Sequence, residues 1–210
     1  LGGEVEIEDD LLEEITYLVE YPTAFYGEFN ADYVKLPKEV VTTPMKEHQR
    51  YFPVSKDGKL LPYFIAVRNG DKNGIETVKA GNEKVLEARL ADALFFYDED
   101  IKKPLESFVE NLKTVVFQAK LGTVYDKTLR IEKLASDIIN NLDEKEALND
   151  TLRAAKLCKA DLVTNMVFEF TELQGVMGRE YAKVSGENDD VAQAIFEHYL
   201  PRFAGDILPQ

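Results

Sequence analysis

Tryptophan is absent from this chain, cysteine occurs once and histidine twice. The single cysteine, Cys158, permits no internal disulfide and no cysteine-rich zinc site. It sits in "RAAKLCKAD" with no base beside it, and reads as a small buried residue of a reducing compartment rather than a nucleophile. His48 and His198 form neither a His-x-x-His nor a His-Glu-x-x-His pattern, so a metal site would have to rest on carboxylates. There is no Gly-x-Ser-x-Gly elbow, and Ser55, Ser107, Ser136 and Ser185 do not adjoin a histidine, which leaves nucleophilic catalysis unsupported. No phosphate loop exists: Gly175 and Gly178 lack both the strand–turn–helix context and a Lys-Ser/Thr pair. No apolar run is long enough to cross a membrane, and "LGGEVEIEDD" has neither initiator Met, basic n-region nor apolar h-region. The sequence therefore reads as an internal piece of a longer cytoplasmic protein, with no membrane or DNA partner. Basic residues are also scarce, 25 against 39 acidic ones, for a net charge of −14. Taken whole, that balance opposes non-specific nucleic-acid binding, although a local basic stripe can act alone.

What is present is globular. Hydrophobic residues make up 45% and charged residues 30% of 210, enough for one large domain or two small ones. Leu11, Leu12, Ile15, Leu18 and Val19 fall at helical spacing, with Asp9 or Asp10 as cap and Pro22 as stop. "LPKEVVTTPMKEHQ" reads as a short helix opened by Pro37 and broken or kinked by Pro44. "RYFPVSKDGKLLPYFIAVRNG" reads as a β-hairpin turning at Asp57-Gly58, its Tyr63–Val67 run resembling a strand buried on both faces. Asn69-Gly70 and Asn73-Gly74 mark further turns.

Beyond about Gly81 no strand signal of similar strength follows. Helices are predicted from Asn82 as cap through "NEKVLEARLADALFFYDEDI", and through "PLESFVENLKTVVFQAKLG" to Gly122. Further helices are predicted behind Thr123 as cap, through "EALNDTLRAAKLCKADLVTNMVFEF", and through "DDVAQAIFEHYLP" to Pro201. The fold class is α+β: an N-terminal mixed module with antiparallel strands (1–80), then a helical domain (81–210).

Two basic stripes stand out. Lys113, Lys120 and Lys127 recur every seven residues, followed by Arg130 and Lys133; Arg153, Lys156 and Lys159 recur every three, on one helix face. They read either as solvated faces or as phosphate-contacting surfaces. In "EFTELQGVMGREYA" the spaced glycines suit a helix end and a tight connection, held by Glu172 and Gln174, with Arg179 exposed just beyond it and able to reach phosphate.

The blocks "EHQRYFPV", "LPYFIAVRNG", "GNEKVLEARLADALFFYDED", "KKPLESFVENLKTVVFQAKLGTVYDK", "KADLVTNMVFEFTELQGVMGREYA" and "EHYLPRFAGDILP", in that order, resemble the beta-subunit family of bacterial heterotetrameric glycyl-tRNA synthetases. The resemblance implies an enzyme that joins glycine to its tRNA using ATP. Its catalytic site, with ATP and magnesium, lies on an alpha subunit, and its beta subunit recognises tRNA. This piece would carry no cofactor and no catalytic residue. Its partners would be the alpha subunit and tRNA. Residues 1–80 would be part of a module similar to the editing-type domain of phenylalanyl-tRNA synthetase β, and 81–210 an HD-type helical domain. An HD phosphohydrolase needs a His-Asp pair, whereas here Lys159-Ala160-Asp161 stands where the pair would fall. A protonated lysine has no lone pair for a metal. The implied role is non-catalytic, with RNA-binding candidates Lys113, Lys120, Lys127, Arg130, Arg153, Lys156, Lys159 and Arg179 taken from spacing alone. The alternatives are an active metal-dependent phosphohydrolase and a purely structural spacer against the alpha subunit.

Overall fold

The computed structural model describes residues 2–142 and 144–210. It is an α+β structure in two compact units, divided between Phe95 and Phe96.

The first unit is built on a four-stranded antiparallel sheet in the order β1-β3-β4-β2, from β1 (Glu4–Val5), β2 (Pro22–Glu28), β3 (Phe52–Lys56) and β4 (Lys59–Asn69). β3 and β4 form the expected hairpin. Asp57 and Gly58 turn it with φ of 50° and 75°, the pair of positive values a tight hairpin turn requires. β2 was not expected. It pairs with β4 along its whole length, placing Gly27 opposite Phe64, and the Phe64 ring occupies the space a side chain at Gly27 would need. The Tyr63–Val67 run alternates instead of being buried throughout: Phe64 and Ala66 are buried, Ile65 and Val67 only half-buried. The half-buried face packs with Phe52 against Leu11 and Ile15 of α1 (Asp9–Leu18). That helix is preceded by Glu8 without a side-chain cap, Asp9 and Asp10 lie inside its first turn, and it ends at Val19 before Pro22.

α2 (Lys38–Thr43) begins behind Pro37 as expected. The α-helix ends at Thr43, and Pro44 opens a π-helical turn, Pro44–Gln49, which ends at Arg50 in the left-handed conformation. α3 (Ile75–Asp100) starts after Gly74, a full turn and more before Asn82, and runs through the division between the units. Asn82 is thus not a cap; its side chain donates to the Val78 carbonyl and accepts the Tyr51 hydroxyl.

In the second unit the segment expected as helix to Gly122 departs most from expectation. Leu105–Thr114 is a 3-10 helix that buries Leu105, Val109 and Leu112. The β-branched run Thr114-Val115-Val116 then favours extended backbone. β5 (Val116–Gln118) and β6 (Gly122–Thr123) form a small hairpin, in which Gly122, at φ 85°, opens β6 and is not a helix cap. α4 (Val124–Asn141) follows with a capping box: the Thr123 hydroxyl accepts the Asp126 N–H and the Asp126 carboxylate accepts the Thr123 N–H. The predicted fourth helix is split into α5 (Leu148–Leu157), a 3-10 turn (Ala160–Val163) and α6 (Asn165–Glu169). α7 (Val176–Val184) and α8 (Asp189–Glu197) complete the unit. Leu157, Met166, Met177 and Ile195 form part of its fully buried interior. Buried Asp100 ties segments together, accepting the Asn165 and Met166 N–H groups and the Tyr181 hydroxyl.

Candidate nucleic-acid interface

The first basic stripe does not lie on one helix. Lys113 lies in the last turn of the 3-10 helix, Lys120 sits in the β5–β6 turn, and Lys127 and Arg130 belong to α4. The hairpin nevertheless gathers them. The Lys127 ammonium lies 4.1 Å above the Phe117 ring, and that of Lys113 lies 4.5 Å above Tyr125. Arg130 donates to the Leu121 carbonyl at 3.0 Å. Lys120 is exposed, its backbone N–H held by the Gln118 side chain at 2.6 Å. Val116, Phe117 and Leu121 are exposed beside them. Cations interleaved with accessible aromatic and aliphatic surface suit a polyanion that also presents flat rings. Lys113 is paired with Glu110, whose carboxyl is held below its usual range by that ammonium.

Two cations of the second stripe are engaged in ion pairs. Arg153 grips Glu187 with Nε and Nη2 and reaches Glu106 with Nη1 at 2.8 Å; Lys156 also bonds Glu106. Glu106 is held below the usual carboxylate range by Lys156 and then Arg153. Arg153 is held above its ordinary value by Glu187. Lys159 lies past the end of α5 and is buried, its ammonium 3.8 Å above the Tyr199 ring, and burial pushes its pKa down. Arg179 is not exposed: it bonds Glu180 at 2.9 Å and lies over the Phe196 ring.

The turn that "TELQGVMG" was expected to form is present, with Gly175 at φ 79° immediately before α7. Asp161 takes up its Gly175 N–H, at 2.6 Å, rather than Glu172 or Gln174. Gly178 lies inside α7, where a Cβ would stand 2.6 Å from Ile195 Cγ2 and 3.1 Å from Asp161 Oδ2. Asp161 is wholly buried, and burial raises its pKa to about 6. Its Oδ1 and the Tyr199 hydroxyl are buried without a hydrogen-bond partner among the described residues. The His198 residue is exposed by area, yet its ring is surrounded by enough protein, with Lys159 near, to bring its pKa to about 4, and its Nδ1 lies 2.6 Å from the Ile195 carbonyl. This donor set does not fit a metal: an ammonium stands beside the carboxylate. Among the described residues no group of three His, Cys, Asp or Glu side chains is placed to hold one.

Spacing found the lysines but not their aromatic partners. The interleaving of Lys113, Phe117, Lys120, Tyr125 and Lys127 was the available signal. Nothing local marked Glu106 or Glu187 as partners of Arg153, 47 and 34 residues away.

The proteins to which this chain is similar are components of one class of enzyme, the aminoacyl-tRNA synthetases. The chain belongs to the glycyl-tRNA synthetase beta-subunit family, whose family model matches residues 1–210. It is 76% identical over 210 residues to the glycine–tRNA ligase beta subunit of Clostridioides difficile, covering all of this chain and 30% of that protein. It is 59% identical to the beta subunit from Desulforamulus reducens and 57% to one from Desulfitobacterium hafniense, covering all of this chain and 30% and 31% of theirs. The chain thus spans about a third of the length of these curated relatives.

Proposed function

We propose that these residues are a non-catalytic part of a glycyl-tRNA synthetase beta subunit, supporting the ATP-dependent attachment of glycine to its tRNA. The β5–β6 hairpin contacts tRNA phosphates near the acceptor arm through Lys113, Lys120, Lys127 and Arg130, positioning the RNA without reading its bases. The convergence of these cations on exposed aromatic and aliphatic surface carries the reading. Arg153, Lys156, Lys159 and Arg179 serve the same face only indirectly, as supports of the unit that presents it. In this reading the cytoplasmic holoenzyme is a heterotetramer, and ATP and magnesium belong to the alpha subunit. In this reading residues 1–80 form part of an editing-type module, and residues 81–210 keep an HD-type arrangement whose hydrolase activity is lost. The absence of a His-Asp pair and the ammonium of Lys159 beside Asp161 support that loss.

The test is a titration of the full-length beta subunit with glycine-accepting tRNA at several salt concentrations. Each lost phosphate contact flattens the logarithmic salt slope by about 0.7–0.9. The Lys120→Ala/Lys127→Ala double variant is expected to flatten it by about 1.5, to a similar extent for any tRNA sequence. A double variant with the wild-type slope removes the hairpin from the interface.

A further inference from the structure

We propose that the first unit carries a separate binding site, a cleft of about 220 Å³ bounded by α1, β2, β4, the π-helical turn and α3, which holds a small amphipathic anion: an apolar body with one carboxylate or phosphate. The walls are Leu18, Val19, Phe25 and Val67. Leu18 is 61% exposed, so the fold leaves this apolar surface open to water. The volume suits a ring with a short acidic arm, being below the range of pockets that enclose drug-sized ligands.

The charge of the lining is reversed relative to the chain. Acidic residues outnumber basic ones 39 to 25, yet the residues that line the cleft include two arginines, Arg50 and Arg68, and no Asp or Glu. Neither arginine is fully used. Arg50 donates Nε to Glu14 and Nη1 to the Glu47 carbonyl, and Arg68 donates Nη1 to the Asn73 carbonyl. The second amino group of each has no hydrogen bond among the described residues. The Glu14 pair is solvent-exposed, 41% and 43%, and such pairs are weak, so an incoming anion can displace it.

The site is also rigid. Arg50 has φ 59° and ψ 41°, a conformation unfavourable for a residue with a side chain. Buried Tyr51 holds it there: its ring stacks on Phe64 at 4.5 Å and its hydroxyl bonds Asn82, which lines the same cleft. A π-helical turn leads directly into this strained residue, and such turns are frequent at functional sites. The site does not depend on the tRNA reading.

Phenylglyoxal modification of the full-length chain, read peptide by peptide, tests it. The probes are adenosine 5′-monophosphate and phenylacetate. At nine-tenths occupancy a bound probe should slow modification of Arg50 and Arg68 about tenfold. Exposed Arg89 should react at an unchanged rate. Protection by the nucleotide alone identifies a phosphate ligand, and by phenylacetate alone a carboxylate. Leu18→Glu, a substitution at an exposed position that places a carboxylate in the cleft, should abolish the protection. Absence of protection by both probes at saturating concentration, or protection that persists in Leu18→Glu, overturns the proposal.

Discussion

Replacing Asp161 by asparagine should stabilise the second unit near neutral pH, although it removes a hydrogen-bonded carboxylate. Burial raises the Asp161 pKa from 3.8 to about 6, while the N–H groups of Gly175 and Gly178 and the ammonium of Lys159 pull it the other way. Because the folded value lies above the unfolded one, the native state binds the proton more tightly. The stability this contributes is complete below the unfolded value and is lost as pH rises through about 6. At pH 7.5 the buried charge therefore costs roughly 3 kcal/mol relative to an exposed carboxylate. Asparagine keeps the shape and an acceptor for the Gly175 N–H but has no charge to desolvate. Its amide N–H, placed where Oδ1 has no partner, offsets about 1–2 kcal/mol of the gain. The net is about 1–2 kcal/mol in favour of Asp161→Asn at pH 7.5, shrinking by about 1 kcal/mol at pH 5. Over that window His198, with its pKa near 4, stays neutral. Hydrogen–deuterium exchange of peptides covering 160–181 in the full-length chain reads the local opening free energy, each variant compared with wild type at the same pH. A variant that opens more readily by the same margin at both pH values would refute the reasoning. It would mean that Lys159 holds the carboxylate ionised throughout.

Two further outcomes follow from close packing and capping. Gly178→Ala gains about 1 kcal/mol of helix preference, but its Cβ would stand 2.6 Å from Cγ2 of fully buried Ile195, and overpacking of this kind costs about 1–3 kcal/mol. The variant should therefore be less stable, seen as a lower denaturant midpoint, and an unchanged or higher midpoint would show that α7 and α8 separate freely. Thr123→Ala removes half of the capping box and should cost about 1 kcal/mol, with faster exchange at the Tyr125–Lys127 amides. Equal exchange there would assign the start of α4 to packing alone.

How much of this could be read from the sequence depended on how local its cause was. The β3–β4 hairpin was legible because Asp57-Gly58 carries the turn's backbone preference by itself. The start of α4 was legible because Thr123 and Asp126 cap it within three residues. β2 was not, because its pairing partner is β4, some forty residues on, and Pro22 and Gly27 suppress its strand signal. The 3-10 helix and β5 were read as one α-helix because Leu105, Val109, Leu112 and Val116 keep helical spacing, while the β-branched run that ends the helix is only three residues long. For the candidate interface, spacing located the cations but could not separate free ones from paired ones. Glu106 and Glu187 reach Arg153 only through the tertiary fold.

The pairing of Arg153 and Lys156 with Glu106 and Glu187 also shapes the field around the protein. Two cations that could have formed a rival attractive patch are cancelled locally, within a chain of net charge −14. If the proposed interface is right, a polyanion approaching this part of the protein meets repulsion from most directions, and Lys120, Lys127 and Arg130 of the hairpin region are left as a minority of attractive sites. On the proposed reading, such a field would turn an incoming strand before contact is made, so that discrimination between productive and unproductive orientations would begin in the encounter itself. It also weakens as salt shortens the Debye length, so added salt should slow association before it hastens dissociation.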